Sequence, residues 1–302
     1  MENYTTKITD NVLLDLISES TFKNHSSLWL KNIQTNEKEF GFRNTIRGIT
    51  TKHSKSIVLA AGPESKKVFG DNFKSINKER QNLTIVACDG ALKMLSQNNC
   101  VPDYVVSVDG APIIANFYKN SKEILQGVTA ILATTVHPDV VSHCIDGGAK
   151  IKWVQPFFKD SPYKEFFRNG IPSIKMGGNV GTTSYLLTSI VLKGNPIGLM
   201  GIEFSWSDET PYHQTQYYDG LMEVLDHKFE RVKDQYVHIK NNRDGKMYMA
   251  DPVYYAYFLM LKEIWEELPM KIKQNTYNLT KGGILNINGL KYATVKKFLD
   301  IT

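Results

Sequence analysis

Carboxylates and histidines recur where apolar runs end. Asp89 follows "LTIVAC", Asp109 follows "YVVSV", and Glu203 and Asp208 follow "PIGLMGI". Oxygen ligands of this kind could hold one hard cation, Mg²⁺ being the natural candidate, while it bridges phosphates; the set would be Asp89 and Asp109 with Glu203 or Asp208. No His/Cys group has zinc spacing. His137 and His213 stand near the same run ends, and either could act as general base or acid near neutral pH. Each of these residues also has an ordinary explanation. Asp89-Gly90 and Asp109-Gly110 are common turn chemistry, and a lone histidine is often structural.

Two glycine-bearing turns could receive a nucleotide. The first, Gly62-Pro63-Glu64-Ser65, closes the run "SIVLAA". It is not a Walker loop, which needs a second glycine followed by Lys and Ser/Thr, and the dinucleotide fingerprint is missing as well. What remains is Gly62 for close backbone approach, Pro63 for a helix's first turn, and Ser65 as a hydroxyl contact. The second is "KMGGNVGTTSYLL": Gly177, Gly178, Asn179 and Gly181 precede an apolar helix, with Thr182 and Thr183 in its opening turn. Helix amides beside small residues suit an anion; tight helix packing is the alternative.

The elements that must carry these residues read as alternating strands and helices. "SIVLAAG", "LTIVACDG", "YVVSVDG", "TAILATT", "IKWVQP" and "PIGLMGIEF" are strands; "GALKMLSQNN", "IIANFYKNSKEILQ", "PDVVSHCIDGG" and "NVGTTSYLLTSIVLKG" are helices. Near-continuous apolar strands between helices predict a Rossmann-like α/β domain, a mostly parallel sheet with helices on both faces. Its strand C-termini share one edge, where ligands of such sheets bind. The expected division is a helical N-terminal preface over 1–53, a nucleotide-binding α/β domain over 54–215, and a smaller C-terminal helical segment over 216–302. In the last, "DPVYYAYFLMLKEIWEEL" is a helix capped by Asp251, with Pro252 in its first turn; its aromatic stripe is assigned to the core in preference to a subunit interface.

Composition narrows the class. The 302-residue chain is 42% hydrophobic and 11% aromatic with a net charge of +5, which fits a folded globular protein. No Lys/Arg block marks a nucleic-acid partner. Cys88, Cys100 and Cys144 have neither metal nor disulfide-framework spacing, so a reducing cytoplasm is expected. The polar opening "MENYTTKITD" is unlike a signal peptide. No run approaches the ~20 apolar residues of a membrane span. Self-association as a homo-oligomer stays open.

In order and content, "IVLAAGPES", "IVACDGALKMLSQNNCVPDYVVSVDG", "GGNVGTTSYLLTSIVLKGNPIGLMGIEFSWSD" and "YNLTKGGILNINGL" resemble the MptE-like family. That family includes archaeal 6-hydroxymethylpterin diphosphokinases and bacterial motility accessory factors (Maf proteins). The resemblance covers roughly residues 54–290. The block from Asp89 through Pro102-Asp103 to Asp109 is also similar to the aspartate block of thiamine pyrophosphokinases.

The resemblance implies two branches. In the Maf branch the chain is a transferase moving a sugar, most simply a nonulosonic acid, from a CMP-type nucleotide to a small-molecule, glycan or protein acceptor. Gly62, Pro63, Ser65 and the stretch 177–183 would then hold the nucleotide. Asp89 and Asp109 would bind ribose hydroxyls or a metal, and His137 or His213 would move the proton. In the pterin branch ATP and Mg²⁺ deliver a pyrophosphoryl group to a hydroxymethyl-dihydropterin, with Asp89, Gly90 and Asp109 at the phosphates or metal. The chain reads "TTVHPDVV" where the pterin branch has a His-Gly-Asp-Asn stretch, and "GGNVGTTS" where that branch has an Asp-Gly-Asp-rich segment. "GGNVGTTS" and "NLTKGG" match the Maf pattern, which becomes the leading expectation. A third reading is a nucleotide-binding protein without catalysis. No organic prosthetic group is expected.

Overall fold

Alternate residues of the first strands face opposite ways. Ile57 and Leu59 of β1 (Ser56–Leu59) point into one apolar cluster, Val58 and Ala60 into another. Ile85 and Ala87 of β2 (Thr84–Cys88) divide from Val86 and Cys88 in the same manner. Burial on both faces is what a strand with no polar alternate demands, and it requires helices above and below the sheet. The computed structural model, which describes residues 10–63, 65, 69–70, 72–157 and 161–301, supplies them. Glu64 and residues 1–9 lie outside the described residues.

The remaining strands are β3 (Tyr104–Ser107), β4 (Thr129–Ala133), β5 (Lys150–Pro156), β6 (Ser173–Ile174), β7 (Ile197–Met200), β11 (Thr276–Asn278) and β12 (Lys291–Tyr292). Together they form a nine-stranded sheet in the order β12-β11-β7-β1-β2-β3-β4-β5-β6. Every neighbouring pair is parallel. On one face lie α2 (Asn72–Lys78), α3 (Leu92–Gln97), α4 (Ala115–Lys119), α5 (Pro138–Asp146) and α10 (Val295–Leu299). On the other lie α6 (Val180–Leu186), its π-helical continuation Leu187–Val191, and α9 (Pro252–Glu267). Asp251 Oδ1 accepts the Tyr254 N–H at the start of α9, and Ala256, Leu259, Leu261, Ile264 and Trp265 are buried, so this helix is core.

From β1 the chain steps outward through β2 to β6, then returns to place β7 on the other side of β1. The ends of β1 and β7 are therefore the topological switch point, where such sheets leave a crevice. A small antiparallel sheet, β8-β10-β9, sits beyond it: β8 (Trp206–Ser207), β9 (Val237–Lys240) and β10 (Met247–Ala250). With α7 (Tyr218–Val224) and α8 (Phe229–Lys233) it closes a satellite core around Trp206, Val232, Tyr236 and Met249.

Two features differ from the division expected at 53 and 215. The helix α1 (Asp10–Glu39) packs on α9 and on the sheet's C-terminal edge. At the other end, β11 and β12, both beyond residue 215, extend the main sheet. Each is only two or three residues long. No described helix is long and apolar enough to cross a membrane, and the three cysteines are free and buried.

Candidate functional site at the sheet edge

At the ends of β2 and β3 two aspartates have opposite environments. Asp89 is 4% exposed. Its Oδ2 accepts the Ser107 hydroxyl at 2.7 Å and its Oδ1 accepts the Gly90 N–H at 2.7 Å. Burial pushes its carboxyl up to about 6; the Ser107 and Gly90 bonds oppose that, and the Asp109 charge adds to it. Asp109 is exposed, with Oδ1 turned back to the Ala111 N–H at 2.9 Å. One carboxylate is thus spent on holding two strand ends together, and the other faces solvent beside it. Ser107 escapes sequence reading because a serine inside "YVVSV" looks like any strand residue.

His137 follows β4 and caps α5, its Nδ1 accepting the Asp139 N–H at 3.3 Å. In the neutral ring that bond leaves the proton on Nε2, so the ring offers an N–H rather than a lone pair. Asn32 and Asn36 of α1 reach the same edge. Asn32 Nδ2 donates to the Gly110 and Thr135 carbonyls, and Asn36 Nδ2 to those of Thr134 and Val136.

At the switch point the glycines serve close packing. A Cβ on Gly62 would lie 1.7 Å from Glu203 Oε2 and 2.6 Å from the Gly201 carbonyl. Gly201, at φ +81, would meet the Ala60 carbonyl at 2.1 Å. Glu203 is fully buried, its carbonyl accepting the Ile284 N–H at 3.0 Å. The "NLTKGG" stretch forms the facing loop. Thr280 Oγ1 accepts the Gly201 N–H, and Asn241 and Arg243 donate to the Lys281 carbonyl.

The turn before α6 is also mostly self-satisfied. Asn179 Oδ1 accepts the Thr182 N–H at 2.9 Å, while its Nδ2 donates to the Gly177 carbonyl and to Thr182 Oγ1. Thr183 Oγ1 donates to the Asn179 and Met176 carbonyls. Gly177 and Gly178 have φ of +60 and +76. A Cβ on Gly177 would meet Thr182 Cγ2 at 2.2 Å, and one on Gly178 would meet Tyr257 Cδ1 at 2.8 Å. Tyr257 thus brings α9 over this turn; its hydroxyl is 3.4 Å from that of Tyr217 and responds to the Asp109 charge. Tyr254 stacks on Trp206 at 4.5 Å. Tyr254 and Tyr257 were read from sequence only as part of a core stripe, because the residues they meet here, Trp206 and Gly178, lie far from them in the chain.

Several expected contacts are therefore reassigned. Ser65 is 3% exposed, its hydroxyl directed at Met94 Sδ, so it faces the core. Thr182 and Thr183 are fully buried, with their hydroxyls bonded inside the turn. Asp208 pairs with His238 Nδ1 at 2.6 Å on the small sheet. No group of three or more His, Cys, Asp or Glu side chains able to hold a metal forms among the described residues. The set Asp89, Asp109, Glu203 and Asp208 is consequently not assembled: Asp89 is committed to Ser107 and Gly90, Glu203 is buried against Gly62, and Asp208 is with His238. These residues do not fit a protein-built Mg²⁺ site. His213 is exposed in the turn Tyr212–Gln214, and among the described residues its ring makes no hydrogen bond. Gly62, Gly90, Gly178, Asp89, Asp109 and His137 do share the C-terminal edge, with Pro63 half-buried in the first turn.

No curated protein matches the chain. Among solved structures it is similar to the MAf glycosyltransferase from Magnetospirillum magneticum AMB-1, at 15% identity and a TM-score of 0.59. That match covers 93% of this chain but 42% of the other, so the chain spans less than half the length of that enzyme and shares its fold. The family model described as "6-hydroxymethylpterin diphosphokinase MptE-like" matches residues 27–209, a stretch that takes in the half of α1 bearing Asn32 and Asn36, the strands β1 to β7, and every edge residue from Gly62 to Glu203. With well over half of its residues inside that match and its sheet edge built from the same stretch, the chain belongs to the MptE-like family.

Proposed function

We propose that the protein is a nucleotide-dependent glycosyltransferase that uses a CMP-type sugar donor at the C-terminal edge of its parallel sheet. The observation that carries this reading is the exposed Asp109 carboxylate, whose charge is felt by both buried Asp89 and Tyr257, in an MptE-like chain whose fold matches a MAf glycosyltransferase. Asp109 keeps one oxygen outside its own turn, suited to a ribose or sugar hydroxyl. Gly178 lets Tyr257 and Met260 of α9 pack down on the turn before α6, and the Tyr217, Tyr254 and Tyr257 rings form the ligand's apolar wall.

In the transfer, the bond from the sugar's anomeric carbon to the donor phosphate breaks and one to the acceptor oxygen forms. His137, whose Nδ1 is taken up by the Asp139 N–H, turns its Nε2–H to the departing phosphate. His213, whose ring is unengaged, takes the acceptor proton. Asp89 is a positioning group that keeps the ends of β2 and β3, and hence Asp109, in register.

The second reading, pyrophosphoryl transfer from ATP to a hydroxymethylpterin, is favoured by the wording of the family description. With no carboxylate cage among the described residues, its Mg²⁺ would draw ligands chiefly from phosphates and water. A thermal-shift series with CMP, CTP, AMP, ATP and a hydroxymethylpterin, with and without Mg²⁺, separates the readings. Selective stabilisation by cytidine nucleotides supports glycosyl transfer. Stabilisation by ATP only with Mg²⁺, together with pterin binding, replaces it by the diphosphokinase. No shift with any nucleotide contradicts both.

A further inference from the structure

Asn32 and Asn36 lie one helical turn apart on α1, 3% and 0% exposed. Burying two amides on a helix face is unfavourable unless they are needed for hydrogen bonds. Each is aimed at carbonyls that the sheet leaves over at its edge. Asn32 Nδ2 is 3.0 Å from the Gly110 carbonyl and 2.9 Å from that of Thr135. It therefore ties the turn after β3 to the turn after β4. Asn36 Nδ2 is 3.1 Å from the Thr134 carbonyl and 2.8 Å from that of Val136, so it holds only the second turn. Gly110 completes the fit. A Cβ there would lie 2.8 Å from Trp29 Cδ1, 2.8 Å from the Thr135 carbonyl and 3.0 Å from Asn32 Nδ2. The residues adjoining these clamped carbonyls are Asp109 on one turn and His137 on the other.

We propose that Asn32 is a positioning residue that fixes the spacing between Asp109 and His137, with Asn36 setting the His137 turn alone. The N-terminal helix is then a working part of the ligand edge. This rests on the reading of that edge as a nucleotide site. A side-chain amide with two donors spans two carbonyls at once; a hydroxyl or an apolar side chain cannot do so.

The test compares Asn32→Leu, Asn36→Leu and a control on the exposed side of α1, Gln34→Ala, in the full chain. Amide hydrogen exchange reads the two turns, calorimetry with CMP reads affinity, and thermal unfolding reads stability. In Asn32→Leu, exchange is expected to rise about tenfold at both 110–113 and 136–139, with CMP affinity weakened about tenfold, a change of about 1.4 kcal/mol. In Asn36→Leu only 136–139 is expected to quicken. Gln34→Ala is expected to match the parent. If Asn32→Leu does not unfold cooperatively, Asn32→Ser carries the same comparison. Unchanged exchange at 110–113, or unchanged CMP affinity in a cooperatively folded variant, overturns the proposal. Absence of CMP binding by the parent protein overturns the nucleotide reading instead, and the exchange pattern still decides whether Asn32 holds both turns.

Discussion

At the ends of β1 and β7 backbone meets backbone so closely that neither Gly62 nor Gly201 has room for a methyl group, and a whole glutamate is sealed between them. Three strands away, at the ends of β3 and β4, an aspartate is open to solvent, and side chains from a distant helix join the two turns. Both regions are glycine-bearing turns after buried strands and look equivalent in sequence. In the first the glycine packs against backbone and a buried glutamate; in the second Gly110 packs against α1 and the Thr135 carbonyl, beside a carboxylate that stays open. The proposed ligand chemistry is assigned to the second, where Asp109 is exposed and keeps one carboxylate oxygen outside its own turn.

The largest effect expected from this contrast is structural. Gly62→Ala places a methyl group against Glu203 and the Gly201 carbonyl, neither of which can retreat, and is expected to cost about 3 kcal/mol or more in urea unfolding. Asp109→Asn is the opposite case. Unfolding is expected to stay within about 0.5 kcal/mol of the parent, since the residue is exposed. Cytidine nucleotide affinity measured by calorimetry is expected to fall about tenfold, the scale of one charged hydrogen bond.

His137 sharpens the comparison, since its Nδ1 and Nε2 have different duties. Glutamine approximates the Nε2 donor but loses the cap; asparagine keeps the cap and loses the reach. Transfer rates are expected to survive better in His137→Gln, while stability is expected to survive better in His137→Asn. The reverse order would reject the phosphate-donor role.

A smaller effect concerns pH. Burial raises the Asp251 carboxyl to about 7, above its usual value of 3.8. The folded state therefore holds that proton more tightly than the unfolded state does. The associated stability is complete below pH 4 and is lost as pH rises towards 7. Asp251→Asn, which keeps the helix cap, is expected to remove about 2 kcal/mol of relative pH dependence across that window in chemical denaturation. Asp89, raised to about 6, acts with the same sign between pH 4 and 6. Least of all, Ser65→Ala is expected to shift stability by under about 1 kcal/mol and to leave ligand affinity unchanged, because its hydroxyl faces Met94.

Much of this architecture was legible in the chain. Runs such as "SIVLAA" and "TIVAC" have no polar alternate, which by itself demands a sheet covered on both faces, and Asp251-Pro252 marks the start of α9. The strand ends bearing Asp89, Asp109 and His137 could be located for the same reason. What could not be read was direction. Whether Gly62 opens a pocket or packs against Glu203 depends on a contact 141 residues away. The short strands β6, β11 and β12 owe their existence to neighbours already in the sheet, not to local propensity. Asn32 and Asn36 look like ordinary polar positions of a helix until the carbonyls they reach are known.

The central claim, that the open turns and not the sealed one bind the nucleotide, is tested most directly by hydrogen exchange on the protein with and without CMP. Protection is expected at 89–91, 109–113 and 136–139, with the turn at 61–65 unchanged. Protection concentrated at 61–65 and 201–203, with the β3 and β4 turns unaffected, would contradict it.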